Sequence, residues 1–245
     1  CGAEGTSVIY NAAREPEIVD LQALLRSMGA RVNGAGGSII TVEGGAALHG
    51  CTHRVIGDRI VCATYLCAAA AAGGEVRLTG VDYRAVSTVA LSLAESGCEV
   101  RSEADAVSLR STGALRSVRP VRTAPYPGFP TDAQPVLMAA LLRSEGCTVF
   151  VENIFENRYR HVDELSRMGA EIRVVGRVAV VNGVRTLHGA AVKCTDLRGG
   201  AALVIAGLSA EGTTRVTELT HIDRGYDAIE RDLAALGAQI RRETT

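Results

Sequence analysis

Three stretches of the chain are apolar on every side, and each begins directly behind an aspartate. The aspartates are Asp58, Asp132 and Asp196. A run without a polar face fits a helix that is buried all round. A carboxylate just before it can accept the free N–H groups of the first helical turn. The pattern therefore predicts three buried helices with aspartate caps. Their ends are predicted at residues 73–74, 145–146 and 211–212.

Four other segments have apolar residues at helical spacing and end in nearly the same residues around a glycine. The glycines that end them are separated by 68, 72 and 68 residues: Gly29, Gly97, Gly169 and Gly237. Glycine readily adopts the left-handed conformation that closes a helix, so each is predicted to be the C-terminal cap of an amphipathic helix. One face of the last helix is predicted to hold Tyr226, Ile229, Leu233 and Leu236.

Each amphipathic helix is followed by alternating apolar and polar residues, which is the pattern of half-buried strands. The last such strand is predicted around Ile240, and a further strand follows each apolar helix. The repeating unit is therefore strand, buried helix, strand, amphipathic helix, strand, strand. Such units predict a mixed α/β fold in which the apolar helices pack together in one core.

The repeat is incomplete at the start of the chain. Counting back from Gly29 places the corresponding aspartate before residue 1, so we expect an N-terminal portion of the fold to be missing. The three later units form a set. We therefore predict two domains, with a last, partial unit of a first domain in residues 1–55 and three units of a second domain in residues 56–245.

The 245 residues are 47% hydrophobic and carry a formal net charge of -1. This balance is typical of a soluble globular protein and gives no support for nucleic-acid or membrane binding. Lys193 is the only lysine, and the arginines that supply the remaining positive charge suit bidentate binding of carboxylate and phosphate. Seven cysteines without metal-site spacing favour scattered buried thiols in a reducing cytoplasm over a zinc site.

The segment from Pro127 to Asp132 contains two prolines and a glycine, which hold the chain out of a helix until the apolar run begins. Asp132 then lies at the mouth of a helix predicted to be buried. A carboxylate at that position costs free energy unless hydrogen bonds or a cation satisfy it, and it is kept without them only where it has a function. From the residues alone two interpretations stay open: Asp132 or Thr131 caps the helix, or Asp132 is a functional group.

Five motifs in one order along the chain resemble those of the enolpyruvyl transferases. They occupy residues 11–21, 127–132, 154–158, 195–198 and 221–226. The sequences around Arg14, Arg158 and Arg224 fit the branch that acts on UDP-N-acetylglucosamine better than the branch that acts on 3-phosphoshikimate.

The resemblance implies an inside-out α/β barrel of βαβαββ units, of which this chain would hold three complete units and one partial unit. It implies transfer of the enolpyruvyl group from phosphoenolpyruvate to the 3-hydroxyl of UDP-N-acetylglucosamine, a cytoplasmic step in peptidoglycan precursor synthesis that needs no metal or redox cofactor. The missing N-terminal portion of the same fold would be a partner. It would hold the family's reactive cysteine, a role given to none of the seven cysteines here.

Among the site residues that the resemblance implies, Asp132 is the catalytic base and hydroxyl anchor. Arg158 and Arg224 would bind carboxylate or phosphate. Arg224 is expected to project from a strand-to-helix turn, and the alternative is a surface arginine paired with Asp223 or Asp227, a contact worth about 0–1 kcal/mol.

Three more residues complete the set that the resemblance implies. Asp196 and Arg198 would line the wall of the site, although the aspartate alone also fits a helix cap. Ile154 would contact the sugar nucleotide through its backbone, whereas its side chain alone fits a core position. His221 fits a structural role in a turn.

Two segments depart from the family pattern, namely Val61 to Ala63 and the pair Gly199 and Gly200. The glycines are expected to loosen the start of their helix by roughly 1 kcal/mol each relative to alanine. A different class of function therefore stays open beside the enzyme: a non-catalytic binding or assembly module.

Overall fold

The computed structural model describes residues 1–243, which form two compact units. One comprises residues 1–57 with 124–128, and the other comprises residues 58–123 with the chain from Phe129 onward. The assignment of residues 1–55 and 56–245 to two domains stays a prediction. None of the helices in the described part combines the length and apolar character that crossing a bilayer requires.

The first unit is a small antiparallel sheet with one helix. Its elements are β1 (Thr6–Tyr10), α1 (Pro16–Ser27), β2 (Arg31–Asn33) and β3 (Ile39–Glu43). The strand order is β1-β3-β2. Ala30, Val32 and Ile40 form its small core, while α1 has no fully buried residue.

The second unit contains the other helices and strands. Its helices are α2 (Arg59–Ala72), α3 (Tyr83–Glu95), α4 (Gln134–Ala140), α5 (Val162–Arg167), α6 (Leu197–Leu208), α7 (Thr220–Asp223) and α8 (Ile229–Ala235). Its strands are β4 (Gly74–Thr79), β5 (Glu99–Ser102), β6 (Ala106–Ser111), β7 (Val121–Arg122), β8 (Cys147–Val151), β9 (Glu171–Val175), β10 (Val178–Asn182), β11 (Leu187–His188), β12 (Ala191–Lys193), β13 (Ala210–Glu211) and β14 (Arg215–Thr217).

The prediction that the three apolar helices pack together is confirmed. Helices α2, α4 and α6 contact one another and are buried along most of their lengths. Around them lie an antiparallel sheet β4-β6-β5, a mixed sheet β7-β8-β10-β9 and two parallel pairs, β11-β13 and β12-β14. The mixed α/β content is as predicted, and within residues 1–243 these sheets remain separate and form no closed barrel.

Two of the three predicted aspartate caps are present. Asp58 accepts hydrogen bonds from the backbone N–H groups of Ile60 and Val61, and Asp196 does the same at the start of α6. The cap interpretation of Asp132 is wrong. It lies inside a 3-10 turn, Thr131–Ala133, whose flanking residues cap nothing with their side chains.

All four predicted capping glycines have positive φ, from 91° at Gly169 to 110° at Gly97. The predicted helix face near the end of the chain is partly wrong. Helix α8 begins only at Ile229, because Ala228 has a left-handed φ of 89° that separates Tyr226 from it. The strand predicted around Ile240 is absent from the described residues.

Helix α6 also ends earlier than predicted, at Leu208, because residues 210–211 pair as strand β13 with β11.

The prediction of scattered buried cysteines holds only in part. Burial raises the pKa of the Cys62 thiol to about 12 and that of Cys194 to about 11. Cys51 and Cys147 are exposed, however.

The expectation that Gly199 and Gly200 loosen α6 is corrected by their surroundings. Both are buried, and a Cβ on Gly200 would lie 2.7 Å from Ile222 Cγ1 and 2.8 Å from Cys194 Sγ. A Cβ on Gly199 would lie 2.9 Å from His161 Cβ. The two glycines therefore allow a close approach that larger residues would prevent.

We expect Gly200→Ala to lower the free energy of unfolding by roughly 1–3 kcal/mol, because overpacking outweighs the gain in helix propensity. Gly207→Ala, in the same helix, is the matched control: its Cβ would meet Thr214 Cβ at 3.2 Å, a milder contact, so it should lower the free energy of unfolding less than Gly200→Ala does. Chemical denaturation measures both variants. Equal stability of Gly200→Ala and the parent would contradict the close-approach explanation.

Candidate active site

The carboxylate of Asp132 lies between two guanidinium groups. Its Oδ1 accepts a hydrogen bond of 2.9 Å from Arg158 Nη2. Its Oδ2 accepts bonds of 3.3 Å from both Nε and Nη2 of Arg198. The aspartate side chain is 40% exposed, whereas the arginine side chains are 7% and 12% exposed. We call these three residues, Asp132, Arg158 and Arg198, the cluster. The carboxylate is its accessible member.

Local sequence explains how Asp132 reaches this position. Pro130 is extended, and its carbonyl accepts the N–H of Ala133, which closes a tight turn. The next residues are buried without interruption through Leu142. The turn therefore places the Asp132 side chain at the rim of the apolar core rather than inside it.

Arg158 is oriented by a relay of hydrogen bonds. Its Nε donates to Thr131 Oγ1 at 3.1 Å, and the Thr131 hydroxyl donates to Glu152 Oε2 at 3.0 Å. The guanidinium carbon also lies 4.3 Å from the ring centroid of Phe155, a cation–π distance. Arg158 comes from a 3-10 turn, residues 158–161, that follows the loop after β8.

Arg198 is oriented by a second relay on the other side of Asp132. Its Nη1 donates to Tyr226 Oη at 3.1 Å. The Thr64 hydroxyl donates to the Ile60 carbonyl, so the tyrosine hydroxyl donates to Thr64 Oγ1 at 2.8 Å. Burial, the largest cause, raises the pKa of Tyr226. The neutral phenol therefore remains a fixed partner of Arg198.

Asp196 serves the start of α6, from which Arg198 projects. Its Oδ1 accepts the N–H groups of Arg198 at 3.0 Å and Gly199 at 2.9 Å. Burial acts to raise the pKa of Asp196, but the Gly199 N–H and the nearby His161 and Thr195 hold it below its usual value. The cap interpretation is confirmed, and the predicted contribution of Asp196 to a substrate wall stays a prediction.

His161 is a buried polar residue that the sequence did not bring to attention. Its side chain is fully buried, and Nδ1 donates to the carbonyl of Arg158 at 3.2 Å. Its Nε2 has no hydrogen-bond partner within the described residues. Burial lowers the pKa of His161 to about 4, so the ring is neutral at pH 7.

Arg224 and Ile154 lie outside the hydrogen bonds of the cluster. Arg224 is exposed at the C-terminal end of α7, not on the predicted strand-to-helix turn, because residues 220–223 form that short helix. Its side chain makes no ion pair within residues 1–243, so the surface-pair alternative is wrong: Asp223 pairs with Arg242 and Asp227 with Arg231. Ile154 is 42% exposed, which corrects the core interpretation.

The structure therefore brings together Asp132, Arg158 and Arg198 of the predicted site. It adds residues that the sequence did not assign to it, namely Glu152, His161 and Tyr226. Glu152 carried a usable signal, since it is a carboxylate directly after an apolar strand. Chemically, the cluster offers a half-exposed carboxylate that can accept a proton and a strong positive field that can hold an anion.

Comparison with known proteins gives consistent matches. Residues 1–233 match the family described as EPSP synthase (3-phosphoshikimate 1-carboxyvinyltransferase). The chain is 52% identical over 242 residues to UDP-N-acetylglucosamine 1-carboxyvinyltransferase of Gluconacetobacter diazotrophicus, covering 99% of the chain and 57% of that protein. It is 52% identical over 240 residues to UDP-N-acetylglucosamine 1-carboxyvinyltransferase 1 of Symbiobacterium thermophilum, covering 98% and 54%.

Solved structures agree on the fold. The enolpyruvyl transferase NikO from Streptomyces tendae matches with a TM-score of 0.84 at 30% identity, covering 98% of this chain and 57% of that one. EPSP synthase from Acinetobacter baumannii matches with a TM-score of 0.72 at 20% identity, covering 99% and 59%. The chain thus spans somewhat more than half the length of the proteins it matches.

Proposed function

The chain belongs to the enolpyruvyl transferase family, and on that premise we propose that it supplies one wall of the active site of a UDP-N-acetylglucosamine 1-carboxyvinyltransferase. The reaction transfers the enolpyruvyl group of phosphoenolpyruvate to the sugar 3-hydroxyl and releases phosphate. The observation that carries the proposal is the half-exposed carboxylate of Asp132 between two nearly buried arginines. This arrangement combines a proton acceptor with positive charge, as the reaction requires.

In the addition step, the sugar hydroxyl attacks C2 of phosphoenolpyruvate while C3 gains a proton. Asp132 is the group that would take the hydroxyl proton. In the elimination step, the tetrahedral intermediate loses a proton from C3 and releases phosphate. Arg158 and Arg198 supply positive charge beside the reacting groups. Arg224 is exposed and has no ion-pair partner in the described part of the chain, so it would bind the carboxylate or phosphate of phosphoenolpyruvate.

The remaining candidates act on the sugar nucleotide. Asp196 fixes the start of α6 by accepting the N–H of Arg198. It would therefore contribute to the substrate wall indirectly, by holding Arg198 in position. The N–H of Ile154 is already donated to Glu152 Oε1 at 2.8 Å. Its proposed contact with the sugar nucleotide therefore uses the carbonyl oxygen.

At the level of the fold, the proposal includes an inside-out α/β barrel with three complete βαβαββ units and one partial unit. Its support is the buried group of α2, α4 and α6 with sheets around it. The facing wall would come from the rest of the family fold, with which the chain would act in the cytoplasm and in peptidoglycan precursor synthesis, without a cofactor.

Release of phosphate from phosphoenolpyruvate tests this function. The purified chain is assayed with UDP-N-acetylglucosamine, alone and after addition of the part of the Gluconacetobacter relative that it does not cover. We expect release only in the combined reaction, because one wall leaves the reacting groups in water, where charge interactions are weak.

The same assay separates the alternatives. Release with 3-phosphoshikimate in place of the sugar nucleotide would favour the activity for which the matching family is described. Substantial release by the chain alone would overturn the two-wall proposal. Binding of the added part without any turnover would favour an assembly module.

A further inference from the structure

Glu152 is a buried carboxylate, and among residues 1–243 no cation is bonded to it directly. It is 1% exposed. Oε1 accepts hydrogen bonds from the Thr123 hydroxyl at 2.8 Å and from the N–H groups of Ile154 and Phe155 at 2.8 and 2.9 Å. Oε2 accepts the Thr131 hydroxyl at 3.0 Å. A buried charge is tolerated only when it is satisfied in this way.

Glu152 bonds both to the loop that precedes Arg158 and to the turn that carries Asp132. Its Oε1 folds the loop at Ile154 and Phe155, and Phe155 is the ring on which the Arg158 guanidinium lies. Its Oε2 fixes Thr131, the neighbour of Asp132. The Glu152 carboxylate therefore fixes the neighbours of both Arg158 and Asp132, which are bonded to each other.

The direction of the Thr131 hydroxyl is the decisive point. A hydroxyl has one hydrogen to donate, and here that hydrogen goes to the carboxylate. The oxygen lone pairs of Thr131 then face Arg158 Nε, which donates to them at 3.1 Å. Because a carboxylate can only accept, Glu152 enforces this direction. With Nε held, the Nη2 of Arg158 reaches Asp132 Oδ1.

We propose that Glu152 is a positioning residue that orients Arg158, and through it Asp132, by way of the Thr131 hydroxyl; the catalytic consequence rests on the proposed function. Glu152 touches no reacting atom. The relay on the Arg198 side differs, because it ends on the Ile60 carbonyl of helix α2 rather than on a charged group. The Arg158 side is therefore the one that depends on a single buried carboxylate.

Glu152→Gln changes the relay while keeping its shape. The amide oxygen still accepts the bonds made to Oε1, but the amide nitrogen donates and cannot accept the Thr131 hydroxyl. It competes with Arg158 Nε for the same threonine oxygen. We expect exchange of the Arg158 Nε–H with solvent to become roughly tenfold faster, since about one hydrogen bond of 0.5–1.5 kcal/mol is lost.

Nuclear magnetic resonance of the arginine Nε–H groups measures this in the chain itself, with the Arg158 signal assigned by Arg158→Lys. Thr131→Val removes the same relay from its middle and should have the same effect, while Thr131→Ser keeps the hydroxyl and should match the parent. Glu95→Gln is the matched control, since Glu95 accepts the N–H of Arg119 and has no bond to the cluster. An unchanged Arg158 signal in both Glu152→Gln and Thr131→Val overturns the proposal.

Kinetics of the combined reaction test the catalytic consequence. We expect Glu152→Gln to lower kcat by roughly 10- to 100-fold, with KM for UDP-N-acetylglucosamine within about threefold of the parent, because misplacement acts mainly on the reacting geometry. A change in KM alone contradicts this role. If the parent itself lacks turnover, the proposed function fails, whereas the Arg158 signal still decides whether Glu152 positions the arginine.

Discussion

An Asp132→Asn variant is expected to lower kcat by about 100- to 10,000-fold in the combined reaction, which is the typical contribution of a general base. Asparagine keeps an oxygen that can accept a hydrogen bond from one arginine, but it cannot take a proton from the sugar hydroxyl. The dissociation constant for UDP-N-acetylglucosamine should therefore change much less than kcat. Steady-state phosphate release and equilibrium binding give the two quantities.

Stability must be followed in the same variant. Removing the negative charge leaves Arg158 and Arg198 without their shared anion, and only one of them keeps an acceptor oxygen at residue 132; both side chains are nearly buried. Loss of one partner from a buried ion pair costs about 3–5 kcal/mol; because the Asp132 side chain is only half-buried, the variant should lose less stability than that. Thermal unfolding shows whether the variant is folded at the assay temperature.

The control is Asp82→Asn. Asp82 also binds one arginine, Arg84, and caps α3, a role that asparagine fills equally well. It should keep stability and kcat near those of the parent. A folded Asp132→Asn protein with kcat within a few-fold of the parent would show that Asp132 is only a structural partner of its arginines.

Much of the fold could be predicted because the spacing of hydrophobic residues indicates which face of a helix or strand is buried. The apolar run behind Asp58 has no polar face, so burial of α2 follows from the sequence itself. The same reasoning failed near Tyr226, where the periodicity continues but the helix does not. The left-handed backbone of Ala228 interrupts it, and a non-glycine residue gives no sequence signal for that conformation.

The site was predictable only to the extent that its residues lie in recognisable motifs. The sequence leaves two interpretations of Asp132 open because its partners are 26 and 66 positions away, and periodicity carries no information on such contacts. Helix propensity predicts that Gly199 and Gly200 loosen their helix, whereas the side chains packed against them decide their effect. Tertiary packing overrides propensity in such cases.

The last prediction concerns His161 and the loss of stability in acid. The ring is fully buried, and burial lowers its pKa from the ordinary 6.5 to about 4. Asp196 and the hydrogen bond to the Arg158 carbonyl act to raise this pKa, the Arg158 charge acts to lower it, and each effect is smaller than that of burial. Since the unfolded chain binds the proton more readily, the folded state loses stability as pH falls below about 6.5 and reaches its full loss below about 4.

The total loss attributable to His161 is on the order of 3 kcal/mol. Urea unfolding between pH 7.5 and 4.5 should show this slope in the parent, and His161→Asn should reduce it, because the amide can still donate to the Arg158 carbonyl but does not titrate in this range. His188→Asn, at an exposed histidine, should keep the parent slope. A parent and a His161→Asn variant with parallel pH dependence would show that protonation of another group controls the acid transition.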